Sequence, residues 1–357
     1  MKNPIDLAAE AAAFADQYQM LPQGSTVLCA VSGGKDSMAL LSVLQTLAPE
    51  RNLMIHAAHF NHQLRGEESQ RDEDFVSKWC ADHNIPLTIG SGDVAQAAQE
   101  QGKGIEETAR AMRYGFLTET AQEVGAEKIA TAHNADDNAE TVLLHLVRGS
   151  GLDGLTGIPP VRGILIRPLL GVPRIDIEVY LAQENIPHVE DSSNQDTKFA
   201  RNRIRQAILP VMKDLNPAFV STLSANLVHL REDRELLHDM AESVTCEALV
   251  EDGKVSIQAA SLADLPHPIA ARAVKQLLAK AGRFQVSAVH IDQIIELATG
   301  ETPSANLNLP EGLFAWREYE NLVICPAEAI PPSFSLRLLT GPGVFALDNG
   351  WQIEIEE

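Results

Sequence analysis

Four short apolar or β-branched runs, TVLCAV, LMIHAAHF, PLTIG and KIATAH, alternate with amphipathic stretches at 37–47, 67–83, 104–124 and 136–148. Regular β/α alternation leaves few architectures open. Parallel strands need helical crossovers, and the helices cover both sheet faces, so a doubly wound, mostly parallel α/β sheet is expected. Ligands of such sheets sit at the carboxyl ends of the strands. Two polar motifs fall at such ends, VSGGKDS (31–37) and HNADD (133–137).

A Gly/Pro-rich loop (148–163) follows, then ILIRPLL, a helix from about Pro173, and the turn VEDSSNQDTKFA. From Pro217 to about Val250 the pattern is one long helix. Beyond it come a strand signal at KVSIQAA, two helices and a hairpin-like LFAWREYENLVIC. The expected organisation is a catalytic α/β domain over 1–215, a connector helix over 216–249, a smaller α+β domain over 250–330, and a tail over 331–357 of uncertain role.

Hydrophobic residues make up 45% and charged residues 22% of the 357, enough for a full core. No apolar run approaches the ~20 residues of a membrane span, and the alanine-rich N-terminus lacks a signal-peptide core, so a cytoplasmic protein with no membrane partner is expected. The 4 cysteines are scattered without a C-x-x-C, against disulfides, zinc ribbons, iron-sulfur clusters and persulfide chemistry. A formal charge of −21 opposes nucleic-acid binding. Net charge is coarse, however: 198–213 holds five bases and 267–290 four, neither with an acid. Either run suits a polyanion, or is a solvated helix face.

VSGGKDS differs from the Walker pattern because Lys35 is followed by Asp36. Backbone N–H groups at Gly33 and Gly34 can cradle an anion, with Ser32, Lys35 and Ser37 as side-chain donors. Asp36 would repel phosphate unless a cation lay between them, and Mg²⁺ typically uses one or two carboxylates plus phosphate oxygens. Asp36 is therefore the candidate metal ligand. Such a loop suits a reaction in which ATP loses pyrophosphate and transfers adenylate.

SGGKDS resembles the signature of the PP-loop, or N-type ATP pyrophosphatase, superfamily. HFNHQLRGEESQRDEDFV, IEETARAMRYGFL, ATAHNADDNAETVLLHLVRG and EDSSNQDTKFARNRIRQAILP narrow it, together resembling tRNA(Ile)-lysidine synthetases across about the first 215 residues. The long helix and small following domain are similar to that family's shorter members. Departures are minor: Asn138 where Gln is common, and Asp191-Ser192-Ser193 where a Pro often occurs. The resemblance implies a PP-loop ATP pyrophosphatase domain over 1–215 and a tRNA-binding role for 250–330. It implies ATP and Mg²⁺, an isoleucine tRNA with a CAU anticodon, and free L-lysine as partners. The C2 oxygen of the wobble cytidine would be adenylated, and the lysine amine would displace AMP to give lysidine.

On a helix from Asp136, Ala139, Val142, Leu143 and Leu146 fall on one side; Asp137, Glu140, Thr141 and Arg148 lie opposite. That polar face is either solvated or functional. If functional, one carboxylate orients the lysine ammonium and the other accepts its proton, in an order the sequence leaves open. His133 either packs near the nucleotide or is an ordinary structural histidine. In 104–117, Ile105, Ala109, Met112 and Phe116 form the expected core stripe, and Glu106 and Arg110 an ordinary i,i+4 pair. Arg113, matching the family's RY element, is the candidate for charge on the α-phosphate. His59, with His62 and Arg65, suits loop ordering around ATP better than a metal, for want of further ligands.

In 198–213, a regular helix buries Ile204, Ala207, Ile208 and Val211, with Lys198, Arg201 and Arg205 on one flank and Arg203 on the other. The resemblance turns Arg201 and Arg205 to the cleft, with Asn194 on the cytosine edge. Arg272, Lys275, Lys280 and Arg283 are expected on tRNA phosphates, or on a solvated face. A tRNA thiolase lacks its paired cysteines here, an amide-forming synthetase its glutaminase, and a nucleotide sensor has no need of Asp36, Asp137 and Glu140. The oligomeric state stays open, a homodimer being one arrangement.

Overall fold

The computed structural model describes residues 6–64, 66–190, 200–251, 253–282, 286–300, 305–326, 342–346 and 352–355. The chain divides into two units, Met1–Glu232 and Asp233–Glu357.

The first unit opens with α1 (Leu7–Gln17), capped by the Asp6 side chain on the Ala9 N–H, which buries Leu7, Ala11 and Ala15. Then come β1 (Thr26–Ala30), α2 (Lys35–Arg51), β2 (Met54–Asn61), α3 (Glu67–Asp82), β3 (Leu87–Ser91), α4 (Val94–Gln101), α5 (Ile105–Glu123), β4 (Lys128–Ala130) and α6 (Ala135–Val147). A short α7 (Leu152–Leu155) precedes the hairpin β5 (Val161–Arg162) and β6 (Leu165–Ile166), then α8 (Arg174–Gln183). The sheet order is β3-β2-β1-β4-β6-β5, parallel except for β5. From β1 the chain builds outward through β2 and β3, then returns to β4 on the other side of β1. The strand order reverses between β1 and β4, where an open α/β sheet leaves its ligand crevice.

Helical phase misplaced one position on each of two apolar faces. Ile105, expected in the core, is exposed on the first turn of α5, and the buried line runs through Thr108, Leu117 and Ala121 instead. On α6, Ala139 packs with Leu209 and Val220 as expected, but Leu146 is 59% exposed.

The segment expected as one regular helix is α9 (Ala200–Arg203), a π-helical turn over Ile204–Ile208, and α10 (Leu209–Leu215). One residue added to a turn breaks the 3.6 period. The buried positions become Ile204 and Leu209, while Ala207 and Val211 are exposed.

The last helix that begins in this unit, α11 (Phe219–Thr245), covers most of the expected connector, and the division of units falls within it. In the second unit β7 (Leu249–Glu251), β8 (Lys254–Gln258), α12 (Ala260–Ala263), α13 (His267–Lys280), α14 (Ala288–Thr299), β9 (Asn306–Leu309), β10 (Leu313–Glu318) and β11 (Asn321–Pro326) form an antiparallel sheet, β7-β8-β11-β10-β9, with helices against it. Its core joins Val274 and Leu277 of α13 and Ile294 of α14 to Ile257, Ala315 and Leu322 of the strands. In the tail, β12 (Gly343–Ala346) pairs with β13 (Gln352–Ile355). No described helix is long and apolar enough to cross a membrane.

Candidate active site

The glycine loop leaves β1 at the switch point and becomes the first turn of α2. Gly33 adopts φ +86°, and a Cβ there would lie 2.9 Å from the Val189 side chain, so both conformation and space require glycine. Gly34 has ordinary backbone angles, and a Cβ would meet only Ser32 Oγ at 3.6 Å. No side chain of the protein crowds Gly34, so its backbone can be approached by a ligand. Ser37, expected to face phosphate, is buried: its hydroxyl accepts from the Ser32 N–H (3.1 Å) and donates to Gly34 O (2.9 Å). It shapes the loop, leaving Ser32 exposed and Gly34 and Lys35 partly so, while Gly33 is buried. Lys35 Nζ reaches Glu178 Oε1 of α8 at 3.1 Å, both ends about 40% exposed.

Asp36 Oδ1 accepts from Asn134 Nδ2 at 2.9 Å. Asn134 is fully buried and is the N-cap of α6; its Oδ1 accepts the Asp137 N–H (2.9 Å) while its own N–H donates to Asp137 Oδ2 (3.1 Å). This reciprocal box fixes the loop carboxylate and the α6 carboxylates to one another. Burial and the nearby Asp137 push the Asp36 carboxyl above its usual range, against the pull of Arg174, Asn134 and Arg205.

Asp137 and Glu140 do not form a solvated face. Glu140 is fully buried and Asp137 is 8% exposed. Arg201 Nε lies 3.0 Å from Glu140 Oε2, Arg205 Nε 2.6 Å from Oε1, and Arg174 Nη1 3.6 Å from Oε1. Asp137 Oδ1 receives Arg174 at 3.0 Å, Arg205 at 3.2 Å and Arg201 at 3.5 Å. Beside them Asp136 accepts from the Arg174 N–H (2.8 Å) and from Lys213 Nζ (2.5 Å). Against the cost of burial, Lys213 and Arg174 hold Asp136 below its usual range. Burial alone would lower Arg205, yet Glu140, Asp137 and Asp36 raise it. Four carboxylates thus face four cations in one partly buried network, which burial makes costly to unbalance.

Arg201 and Arg205 share one face, turned onto Glu140 and Asp137, and Arg203 is exposed. Arg174, Asn134 and Lys213 were missed. Arg174 carries a usable signal, a basic residue beside a helix-starting proline, but nothing in its spacing links it to α6. A cavity of about 230 Å³ opens beside the network, bounded by Asp136, Arg174, Ile175, Glu178, Arg205, Leu209, Pro210 and Lys213.

His59 is buried, with Nδ1 2.9 Å from Val31 O, and burial lowers its pKa. It ties β2 to the residue that starts the loop. His133, hydrogen-bonding Thr131 Oγ1 at 3.2 Å, is depressed to about 3 by burial and by Arg167, Arg201, Arg113 and Arg110. The expected Glu106–Arg110 pair is absent among the described residues: Arg110 and Arg113 stand over the Tyr114 ring at 5.2 and 5.4 Å. In the second unit Arg272 Nη1 donates to Pro268 O and Lys280 Nζ to Thr245 O, while Lys275 is exposed. Asn194, Arg65, Lys198 and Arg283 lie outside the described residues. No group of three or more metal-ligating side chains occurs among those described.

A switch-point glycine loop facing carboxylates makes the first unit a nucleotide-using α/β domain of the PP-loop class, and the family model for the PP-loop domain matches residues 7–212. A second, the TilS substrate binding domain, matches 258–323. The tRNA(Ile)-lysidine synthase of Geobacter sulfurreducens is 34% identical over 361 residues, covering 99% of this chain and 76% of that protein. That of Geobacillus kaustophilus is 33% identical over 350 residues, covering 96% and 75%. This chain belongs to the tRNA(Ile)-lysidine synthase family. Among solved structures, the U34-tRNA thiolase NcsA of Methanococcus maripaludis with its 4Fe-4S cluster shares the fold alone, at TM-score 0.52 and 17% identity over 63% of this chain and 79% of that one.

Proposed function

We propose that this chain is an ATP-consuming ligase that joins free lysine to C2 of the wobble cytidine of an isoleucine tRNA with a CAU anticodon. The observation that carries the reading is the Asp36–Asn134–Asp137 linkage, which sets the nucleotide loop against buried carboxylates able to handle an amine. The C2 carbonyl is amide-like and its oxygen leaves poorly. Attack of that oxygen on the α-phosphate releases pyrophosphate and makes AMP the leaving group. A neutral lysine amine then adds at C2, and the C2–O bond breaks with release of AMP.

The residues divide these tasks. The backbone of Gly33 and Gly34 and the start of α2 receive the departing phosphates. Arg113 balances charge on the α-phosphate. Asp36, repelled by Asp137 and raised by burial, suits a divalent cation. Asp36 would hold Mg²⁺, which when bound would supply charge neutralisation for the departing pyrophosphate. An amine reaches Glu140 only when Arg201 or Arg205 moves off it, and phosphates of the substrates offer those arginines another partner. Glu140 and Asp137 then hold the ammonium and take its proton. The neighbouring cavity, with both charge signs and the exposed Ile175, suits a zwitterion with an aliphatic stem. The second unit holds the tRNA away from its anticodon.

Incubation with ATP, Mg²⁺, labelled lysine and unmodified tRNA tests the reading. Label in tRNA with matching AMP and pyrophosphate is expected. ADP and phosphate, or sulfur in place of lysine, would refute it.

A further inference from the structure

The most basic feature outside the carboxylate network is a group of four arginines around one tyrosine. Arg110, Arg113 and Tyr114 come from α5, Arg162 from β5, and Arg167 from just past β6. The guanidiniums of Arg110, Arg113 and Arg162 lie 5.2, 5.4 and 5.8 Å from the centre of the Tyr114 ring. Arg167 is 2% exposed beneath them. None of the four makes an ion pair with a described carboxylate. Arg167 Nη1 is satisfied by Pro159 O, and the Tyr114 hydroxyl lies against the buried guanidiniums of Arg167 and Arg113.

Gathering like charges this closely, partly out of water, is unfavourable. The tyrosine face offsets part of the cost, since a cation over a ring is attracted by the negative face of its π-system. Burial holds Arg113 and Arg167 below their usual range, and Tyr114 supplies the pull the other way. Burial opposes ionisation of Tyr114, yet Arg110, Arg113 and Arg167 hold its hydroxyl below the ordinary tyrosine range. What is missing is an anion. Arg167 follows the carboxyl end of β6 and His133 that of β4, parallel neighbours in the sheet, so an anion bound here lies at the end of the sheet where ligands sit.

We propose that Arg110 and Arg162, over the Tyr114 floor, form a phosphate site on the catalytic unit that takes a phosphodiester of the substrate RNA beside the reacting nucleotide. It rests on the RNA-modifying reading above. Phosphate could also arrive as ATP, but Arg110 and Arg162 are the exposed members of the group, whereas Arg113 is half-buried and Arg167 buried. A solvent-facing pair of guanidiniums beside an aromatic face suits an RNA backbone with neighbouring bases in reach.

Arg110→Ala, Arg162→Ala and the double variant separate the sources. Both side chains are exposed, so folding should be retained, checked by thermal melts. Binding of unmodified tRNA is measured across a salt series, and ATP binding by calorimetry on the same samples. Each single variant should reduce the slope of log K against log salt by about 0.7–0.9, additively in the double, with ATP affinity within about twofold of wild type. Weaker ATP binding with an unchanged tRNA slope would give the site to the nucleotide and overturn the proposal. No change in either would also overturn it. Lysine incorporation by the wild type keeps the two readings apart. A reduced slope in an enzyme that incorporates no lysine sinks the ligase reading and leaves the RNA site standing. An unchanged slope in an enzyme that does incorporate lysine sinks only the site.

Discussion

Asp36 is placed to act on the nucleotide and not on the RNA, because its one described hydrogen-bond partner, Asn134, ties it to the interior. Asp36→Ala should abolish adenylation while leaving tRNA affinity within about threefold, a separation a filter assay would reveal; equal loss of both would contradict the assignment. His133 has the opposite character, a group kept neutral. Its folded pKa of about 3 lies below the ~6.5 of an unfolded histidine, so the unfolded chain binds the extra proton between those values. Its contribution is fully present above ~6.5 and is lost as pH falls toward 3. From about pH 7 to about pH 5 the loss is at most about 2 kcal/mol. His133→Gln should flatten the fall in urea-melt stability over that range, and an unchanged pH profile would remove the histidine from this role. Gly157 has φ +70°, and a Cβ would overlap Asn138 Oδ1, which accepts the Ile158 N–H at 2.7 Å. Gly157→Ala should therefore cost about 1–3 kcal/mol, read as a lowered melting temperature. The family departure at Asn138 thus sits at a structural contact.

Among the elements, α6 and the α9–α10 segment decide the chemistry. Periodicity placed both and found the apolar face of α6, because Ala139 and Leu143 do meet the core. It could not show that the polar face is buried too, since the arginines covering it come from segments about 35 to 65 residues away. The π-helical turn has one visible signal, Pro210 just after it, which has no N–H for the carbonyl of Gln206, and the widened turn seats both Ile204 and Leu209 in the core. Arg201 and Arg205 precede or lie within it, so their shared face survives the shift, while Val211 beyond it is turned outward. Each should lose most of its lysine incorporation on mutation to Ala, with Arg203→Ala comparatively mild. Arg205→Ala should also lower stability by about 1.5–3 kcal/mol, since it strips hydrogen bonds from buried Glu140. A tRNA titration in which Arg203→Ala is the most damaging would reverse the assignment.

For the molecule as a whole, the doubly wound order and the switch point were legible because β/α alternation is a local pattern repeated many times. The ion network was not, because it joins side chains from separate turns of the fold. The basic run of α13 shows the same limit. Lys280 is spent on the Thr245 carbonyl and Arg272 on its own helix, so charge in sequence overstates charge offered to a partner. If the second unit holds tRNA, neutralising the exposed Lys275 should flatten the salt dependence, whereas Lys280→Ala should chiefly destabilise.

The central claim is that the wobble cytidine's own C2 oxygen is activated by ATP and leaves with AMP. It is tested most directly by tracing that oxygen: tRNA carrying heavy oxygen at C2 of that cytidine, incubated with ATP, Mg²⁺ and lysine, with mass analysis of the nucleotide released. The expected result is heavy oxygen in AMP, one for each lysine joined. AMP without the label, or label retained in the tRNA after lysine is incorporated, would contradict it.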